Sequence, residues 1–380
     1  MGKGASIFLC LAVAALITLG LVMLASASAK WDFSSEQYSH LLRQAIWLSL
    51  GVVVMGIVAM FDYRKLEKFA WPLFALTCAA LVLCYIPGIG DEVKGERRWI
   101  SLPLIGRFQP SEPAKLVVMI TLAAWFSKYR AETKSFMRGF VMPSLILGVP
   151  LMLILFETDM GTAAGLGAAG LIVLFVAGTR IRYFGTSLAI VVPLLVMMVQ
   201  RDPVRMKRIV AFTDLDATRL GAGMQQWLGI RAFGNGGLEG MGLGNGVVKQ
   251  MNLPEHHTDF IFPVIGEELG VFVTLGVIFC FVVIFLIGLG ISLQASDRFG
   301  SVLGIGVTSA LVIPAMMNIG VTTASLPNTG LPLPFVSYGG SSLVFSLAMV
   351  GVLLSILRRS RVIDVTEMPA VKSRVLEVRL

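Results

Sequence analysis

Ten apolar runs, parted by short stretches that hold most of the charge, organise this chain: roughly residues 6 to 29, 44 to 61, 69 to 86, 113 to 127, 140 to 156, 160 to 178, 184 to 199, 261 to 293, 301 to 323 and 342 to 357. A helix crossing a bilayer takes about 20 mostly apolar residues. The pattern therefore predicts an all-α polytopic membrane protein of about ten transmembrane helices. The first run follows Lys3 and ends in Ala25-Ser26-Ala27-Ser28-Ala29, which looks like a signal cleavage site. Its apolar stretch is longer than a signal core of about 7 to 15 residues, which favours an uncleaved anchor. Residues 1 to 360 then form one transmembrane domain, with a long polar loop at about 200 to 260 and a basic tail at 361 to 380.

Ten crossings place both termini on one side, and the positive charges test which side that is. Of 31 Lys and Arg, 17 fall on the side shared with the termini and 14 on the other. Seven of those 14, from Arg201 to Lys249, sit in the one long loop, and loops of that length count little toward orientation. The remaining bias of 17 to 7 favours cytoplasmic termini, so the polar segments near 87 to 112, 200 to 260 and 324 to 341 face outward.

Composition narrows the class. The chain has 380 residues, 56% of them hydrophobic and 14% charged, against about a quarter charged in a soluble domain. That excludes a water-soluble enzyme. The net charge of +8 reads as membrane topology rather than nucleic-acid binding. Cys10, Cys78, Cys84 and Cys280 all lie in apolar runs and read as small hydrophobes. The inner connections are too short to house a nucleotide-binding domain.

Four polar places stand out, because ionisable groups at membrane depth are costly and mark cavities or paths. Ser111-Glu112-Pro113-Ala114-Lys115 opens the fourth run: Ser111 is placed to cap the helix, and Glu112 and Lys115, three apart, share a face and can pair. That pair fits a structural bridge or a functional one equally. Glu157-Thr158-Asp159 forms a brief turn before the sixth run, where Asp159 is a natural helix cap. In the long loop, Arg201, Arg205, Lys207 and Arg208 form a basic cluster suited to lipid headgroups or phosphate, followed by a glycine-dense stretch, 234 to 246, with no strand before it and hence no nucleotide fingerprint. Finally, Leu253-Pro254-Glu255-His256-His257-Thr258-Asp259 runs into the eighth apolar run. The adjacent histidines lack the i, i+4 spacing of a helical zinc site, whereas desolvation of Asp259 against Phe260-Ile261-Phe262 would tune it toward a general base. Glu267 and Glu268, about two turns deeper, imply a polar lumen.

Gly95-Glu96-Arg97-Arg98-Trp99-Ile100, Gln109 to Leu116, Asp159-Met160-Gly161-Thr162, Leu253 to Phe262, Gly266-Glu267-Glu268-Leu269-Gly270 and Pro332 to Ser342 occur in one order. This series resembles the SEDS family (shape, elongation, division and sporulation), over nearly the whole chain to about residue 360. Pro327 to Pro332 and Gly20 to Ser28 are similar to its FtsW branch more than its RodA branch. Departures are Glu157-Thr158 where the family often has Gln-Pro, Glu96 where it has Gly-Ala, and Leu228-Gly229 where it tends to have Gln-Ser.

The resemblance implies a lipid II-dependent, inverting glycosyltransferase acting on the outer face of the bacterial cytoplasmic membrane. It assigns catalysis to Asp259. Candidate substrate contacts are Glu112, Lys115, Asp159, Arg98, Arg205, Arg208, Ser337, Tyr338 and Gly339, with Glu267 and Glu268 lining a polar cavity. Expected companions are lipid II, the growing glycan strand, a class B penicillin-binding transpeptidase and other division membrane proteins, and no nucleic acid. A divalent cation (Mg or Mn) at the diphosphate is the one cofactor to look for, with no organic cofactor. A lipid II flippase, a RodA-type elongation polymerase and a noncatalytic division scaffold stay open as alternatives.

Overall fold

The computed structural model describes residues 3–28, 36–93, 96–102, 106–201, 203–249 and 257–366. Its helices are α1 (Lys3–Ser28), α2 (Glu36–Met60), α3 (Arg64–Leu83), α4 (Ser111–Lys128), α5 (Met142–Phe156), α6 (Met160–Val176), α7 (Ile181–Arg201), α8 (Pro203–Thr213), α9 (Met224–Gly236), α10 (Ile261–Leu293), α11 (Arg298–Thr322) and α12 (Gly340–Thr366). Each of the ten apolar runs is seated in one of these helices. The long polar segment is not a plain loop, because α8 and α9 occupy it. Among the described residues, seven helices are long and apolar enough to cross a membrane: α1, α2, α3, α5 with its preceding π-turn, α10, α11 and α12. Helix α6, at 17 residues, is shorter. The tail beyond residue 366 lies outside the described residues.

Apolar side chains cover the bundle inside and out. Ala114, Val118, Met119, Leu122, Ala123 and Phe126 of α4 are buried, and α4 packs against α3, α5, α6, α11 and α12, so with α11 it lies at the centre of the bundle. Phe8, Leu42, Ile57, Phe272 and Phe279 face outward, as side chains bathed in hydrocarbon would. Without a hydrophobic force between helices in lipid, close packing of small residues holds them together. Gly51 of α2 fits Leu347 of α12, Gly351 of α12 meets the Met55 carbonyl, and Gly288 of α10 fits Thr308 of α11.

The polar connections collect at two ends. At one, Arg64 pairs with Asp297 at 3.0 Å and Arg359 with Asp62 at 3.0 Å, while Arg298 donates to the Ala177 and Phe126 carbonyls. That end gathers the basic turns after α2, α4, α6 and α10 and the end of α12. The opposite end holds the starts of α4, α6, α10 and α12, together with an antiparallel ribbon of β1 (Gly90–Val93), β2 (Glu96–Leu102) and β3 (Gly106–Phe108).

The span expected to run unbroken from 261 to 293 is kinked. Gly270 has φ 77° and ψ −175°, a region essentially reserved for glycine. A Cβ there would stand 2.3 Å from the Leu238 carbonyl oxygen. Gly270→Ala is expected to destabilise the fold by about 1–3 kcal/mol from backbone strain alone, read as a lower melting temperature in detergent. An unchanged melting temperature would mean that the kink does not exist in solution.

Candidate functional site

Asp259 ends a turn, residues 257–260, that delivers the chain into α10. Two elements clamp the backbone of that turn, and a third braces one of them. From α11, the Asn318 amide donates to the Asp259 carbonyl at 2.7 Å and to the Leu331 carbonyl at 2.6 Å. From the segment before α12, the Ser337 hydroxyl donates to the Thr258 carbonyl at 2.6 Å and the Tyr338 N–H to the His257 carbonyl at 3.0 Å. From α2, Gln44 accepts from the Gly339 N–H and donates to the Ser337 carbonyl. The half-buried Asp259 carboxylate lies over Gly330, where a Cβ would approach Oδ2 to 3.4 Å.

This revises the expectation for Ser337, Tyr338 and Gly339. The Ser337 hydroxyl also accepts from the Leu333 N–H at 2.8 Å, so its proton and one lone pair are used inside the protein. The Tyr338 ring packs edge-on to His40 at 5.0 Å and 6.2 Å from His257. These residues hold the Asp259 turn. His256 lies outside the described residues, and His257 is a ring in this aromatic cluster.

Asp159 is indeed the cap of α6, accepting from the Thr162 N–H at 3.0 Å through Oδ1. Its other oxygen accepts from Gln109 Nε2 at 3.1 Å and faces Arg98 Nη1 at 3.5 Å. Arg98 therefore draws ribbon β2 over the α6 N-terminus. Immediately beyond Asp159, Gly161 lets the 329–331 segment approach: a Cβ there would meet the Thr329 carbonyl at 2.6 Å. Thr329 over α6 and Gly330 over Asp259 thus join the two aspartates through one strip of backbone.

Glu112 and Lys115 pair at 2.7 Å, both buried, as their spacing predicts. Ser111 does not cap α4. No side-chain cap bond forms there, and the Ser111 hydroxyl instead accepts from Gln109 Nε2 at 2.9 Å. Gln109 therefore links this pair's helix mouth to Asp159. Arg208 sits on α8, which packs against α7. No described contact brings it to the Asp259 turn, and the Arg205 side chain lies outside the described residues.

Glu267 and Glu268 line no open lumen. Glu267 accepts from Asn235 Nδ2 and the Val248 N–H, and Glu268 from the Gly244 N–H. Glu268 also pairs with Lys249 at 2.7 Å, with Lys249 donating to the Ser26 carbonyl of α1. Their own carbonyls accept from Met241 and Gly242 N–H. The glycine stretch is stitched onto the α10 kink by buried carboxylates, and the cavity expected there is filled with protein.

Residues beyond the motif residues first singled out also belong to the site. His40 and Gln44 share a face of α2 by their i, i+4 spacing, a signal present in the sequence but indistinct from other polar pairs. Asn318 and Lys249 carry no local signature at all. Among the described residues no three His, Cys, Asp or Glu side chains converge to hold a metal. No step is assigned to a divalent cation.

Comparison with known proteins agrees with this architecture. The profile of the FtsW/RodA/SpoVE family, described as cell cycle protein, matches residues 7–362. A probable peptidoglycan glycosyltransferase FtsW of Geobacter metallireducens is 39% identical, covering 91% of this chain and 93% of that one. Stage V sporulation protein E of Bacillus subtilis is 38% identical, covering 91% and 95%. Among solved structures, one from a peptidoglycan synthase complex that coordinates polymerization and crosslinking superposes with a TM-score of 0.78 at 27% identity, covering 93% and 97%. The rod shape determining protein RodA of Thermus thermophilus gives 0.68 at 26%, covering 92% and 95%. With its motifs in order on a matching bundle, this multi-pass chain belongs to the FtsW/RodA/SpoVE family, the SEDS family that its motifs resemble.

Proposed function

We propose that this protein is a peptidoglycan glycosyltransferase that polymerises lipid II on the outer face of the cytoplasmic membrane, with both termini inside and ten crossings. The observation that carries this reading is the Asp259 turn: its backbone is clamped by Asn318, Ser337 and Tyr338, so the carboxylate is held in place before substrate arrives. In this mechanism Asp259 takes the proton of the 4-hydroxyl on the N-acetylglucosamine of incoming lipid II. The freed oxygen attacks the anomeric carbon of the terminal N-acetylmuramic acid of the growing strand, and undecaprenyl diphosphate leaves. One displacement inverts the α-phosphate linkage to a β-1,4 bond. Arg98, held by Asp159 at 3.5 Å, offers positive charge for the departing diphosphate. Lys115 is a weaker candidate, since it is more deeply buried and in a closer pair, 2.7 Å from Glu112.

The resemblance to synthase complexes supports a class B penicillin-binding transpeptidase as partner, and the likeness to FtsW relatives supports a role in division. Flipping of lipid II is the rival reading. Purified protein in proteoliposomes with fluorescent lipid II, scored separately for polymer and for translocation, is expected to give polymer when the transpeptidase is present. Translocation without polymer would overturn the proposal.

A further inference from the structure

Two residues before Asp159 lies a second acid that the proposed mechanism does not use. Glu157 is 1% exposed, and among the described residues its carboxylate meets no N–H or O–H donor, only the weak thiol of Cys84. It borders a cavity of about 210 Å³ shared with Tyr85, Glu92, Arg97, Phe156 and Thr158. Thr158, between the two acids, has φ 65°, a left-handed conformation that is a true outlier for a β-branched residue. The turn is thus strained in a way that holds Asp159 on the α6 cap and leaves Glu157 buried behind it.

Resting on the function proposed above, we propose that Glu157 sets the charge of the Arg98–Asp159 pair: protonated, it leaves the pair neutral and receptive to an anionic diphosphate, and ionised, it makes the spot a net anion that repels one. Among the described residues, the titratable groups facing Glu157 are few. Cys84 and Tyr85 come from the segment after α3, Arg98 from β2 and Asp159 from the α6 cap, while Glu92 and Arg97 across the cavity neutralise each other at 3.0 Å. Burial first, then the Asp159 charge, pushes the Glu157 carboxyl up to about 8, against weaker opposing pulls from the Cys84 thiol and Arg98. Burial also pushes the Cys84 thiol up to about 12 and the Tyr85 phenol higher than usual. Neither of those groups competes for a proton near neutrality.

The test compares wild type with Glu157→Gln, which keeps the shape and removes the charge. With fluorescent lipid II and the transpeptidase partner, the wild-type KM should rise about threefold or more between pH 7 and 9 as the acid ionises, with kcat less affected, while the variant KM stays level. Superimposable KM profiles would overturn the proposal. A second arm needs no substrate. An acid whose pKa rises on folding makes the native state hold a proton that the unfolded chain has released. Stability then falls as pH climbs from the ordinary carboxyl value of 4.5 toward about 8 and levels beyond it. The melting temperature of Glu157→Gln should therefore gain on wild type across that window. A constant difference would overturn the buried acid, even if the protein made no polymer at any pH and the functional reading itself had failed.

Discussion

Asp259→Asn is expected to lose lipid II polymerisation by about 10²- to 10⁴-fold, the usual worth of a positioned general base, while melting within a degree or two of wild type. The two halves of that expectation come from different atoms. The clamp bonds from Asn318 and Ser337 end on the backbone carbonyls of Asp259 and Thr258, which the substitution leaves in place. In the proposed mechanism the side chain is the part that meets substrate. Removing the clamp instead, with Asn318→Ala, frees two buried carbonyls at once, of Asp259 and Leu331, and should lower both the rate and the melting temperature. Measuring initial polymerisation rates and thermal melts for the two variants separates base from support. An Asp259→Asn enzyme that polymerised at the wild-type rate would remove Asp259 from the mechanism.

The largest effect on stability is expected at the α10 kink. Glu268→Ala leaves the Lys249 ammonium, 3% exposed, without its carboxylate at 2.7 Å. Breaking a buried pair from one side costs about 3–5 kcal/mol, because the surviving charge is stranded. The melting temperature should drop by several degrees, and the glycine stretch that leans on Glu268 through Gly244 should become susceptible to protease. Replacing both charges, with Glu268→Gln and Lys249→Met, keeps an acceptor for Gly244 and strands no charge, so most of the loss should be recovered. If the single and double variants melted alike, the ion pair would not be the element that holds the loop.

How much of this was legible beforehand follows from the range of the interactions. Glu112 and Lys115 pair as their spacing requires, and Asp159 caps α6, because both are contacts within one helical turn. Ser111 has the right residue type for a cap, yet its hydroxyl is taken by Gln109, which also reaches Asp159 across 50 positions. Ser337, Tyr338 and Gly339 stand out as a motif. That motif does not reveal that they grip the Asp259 turn, since the bond from Ser337 to Thr258 joins residues 79 apart. Glu267 and Glu268 read as a lumen because buried acids usually mark one. The groups that fill the space, the Asn235 and Lys249 side chains, the Val248 N–H and Ser26, have nothing in their neighbourhoods to announce them.

The chain by itself thus determined the things that depend on hydrophobic run length and residue type: a multi-pass helical bundle, the placement of its apolar helices, and the motifs that mark Asp259, Asp159 and the Glu112–Lys115 pair. Only the tertiary structure decided what each polar group does. Asn318 became a clamp, Glu268 a staple and Glu157 a buried acid because in a low-dielectric interior every polar atom must find a partner or lose its charge. Those partners come from helices far apart in sequence, where no periodicity records them.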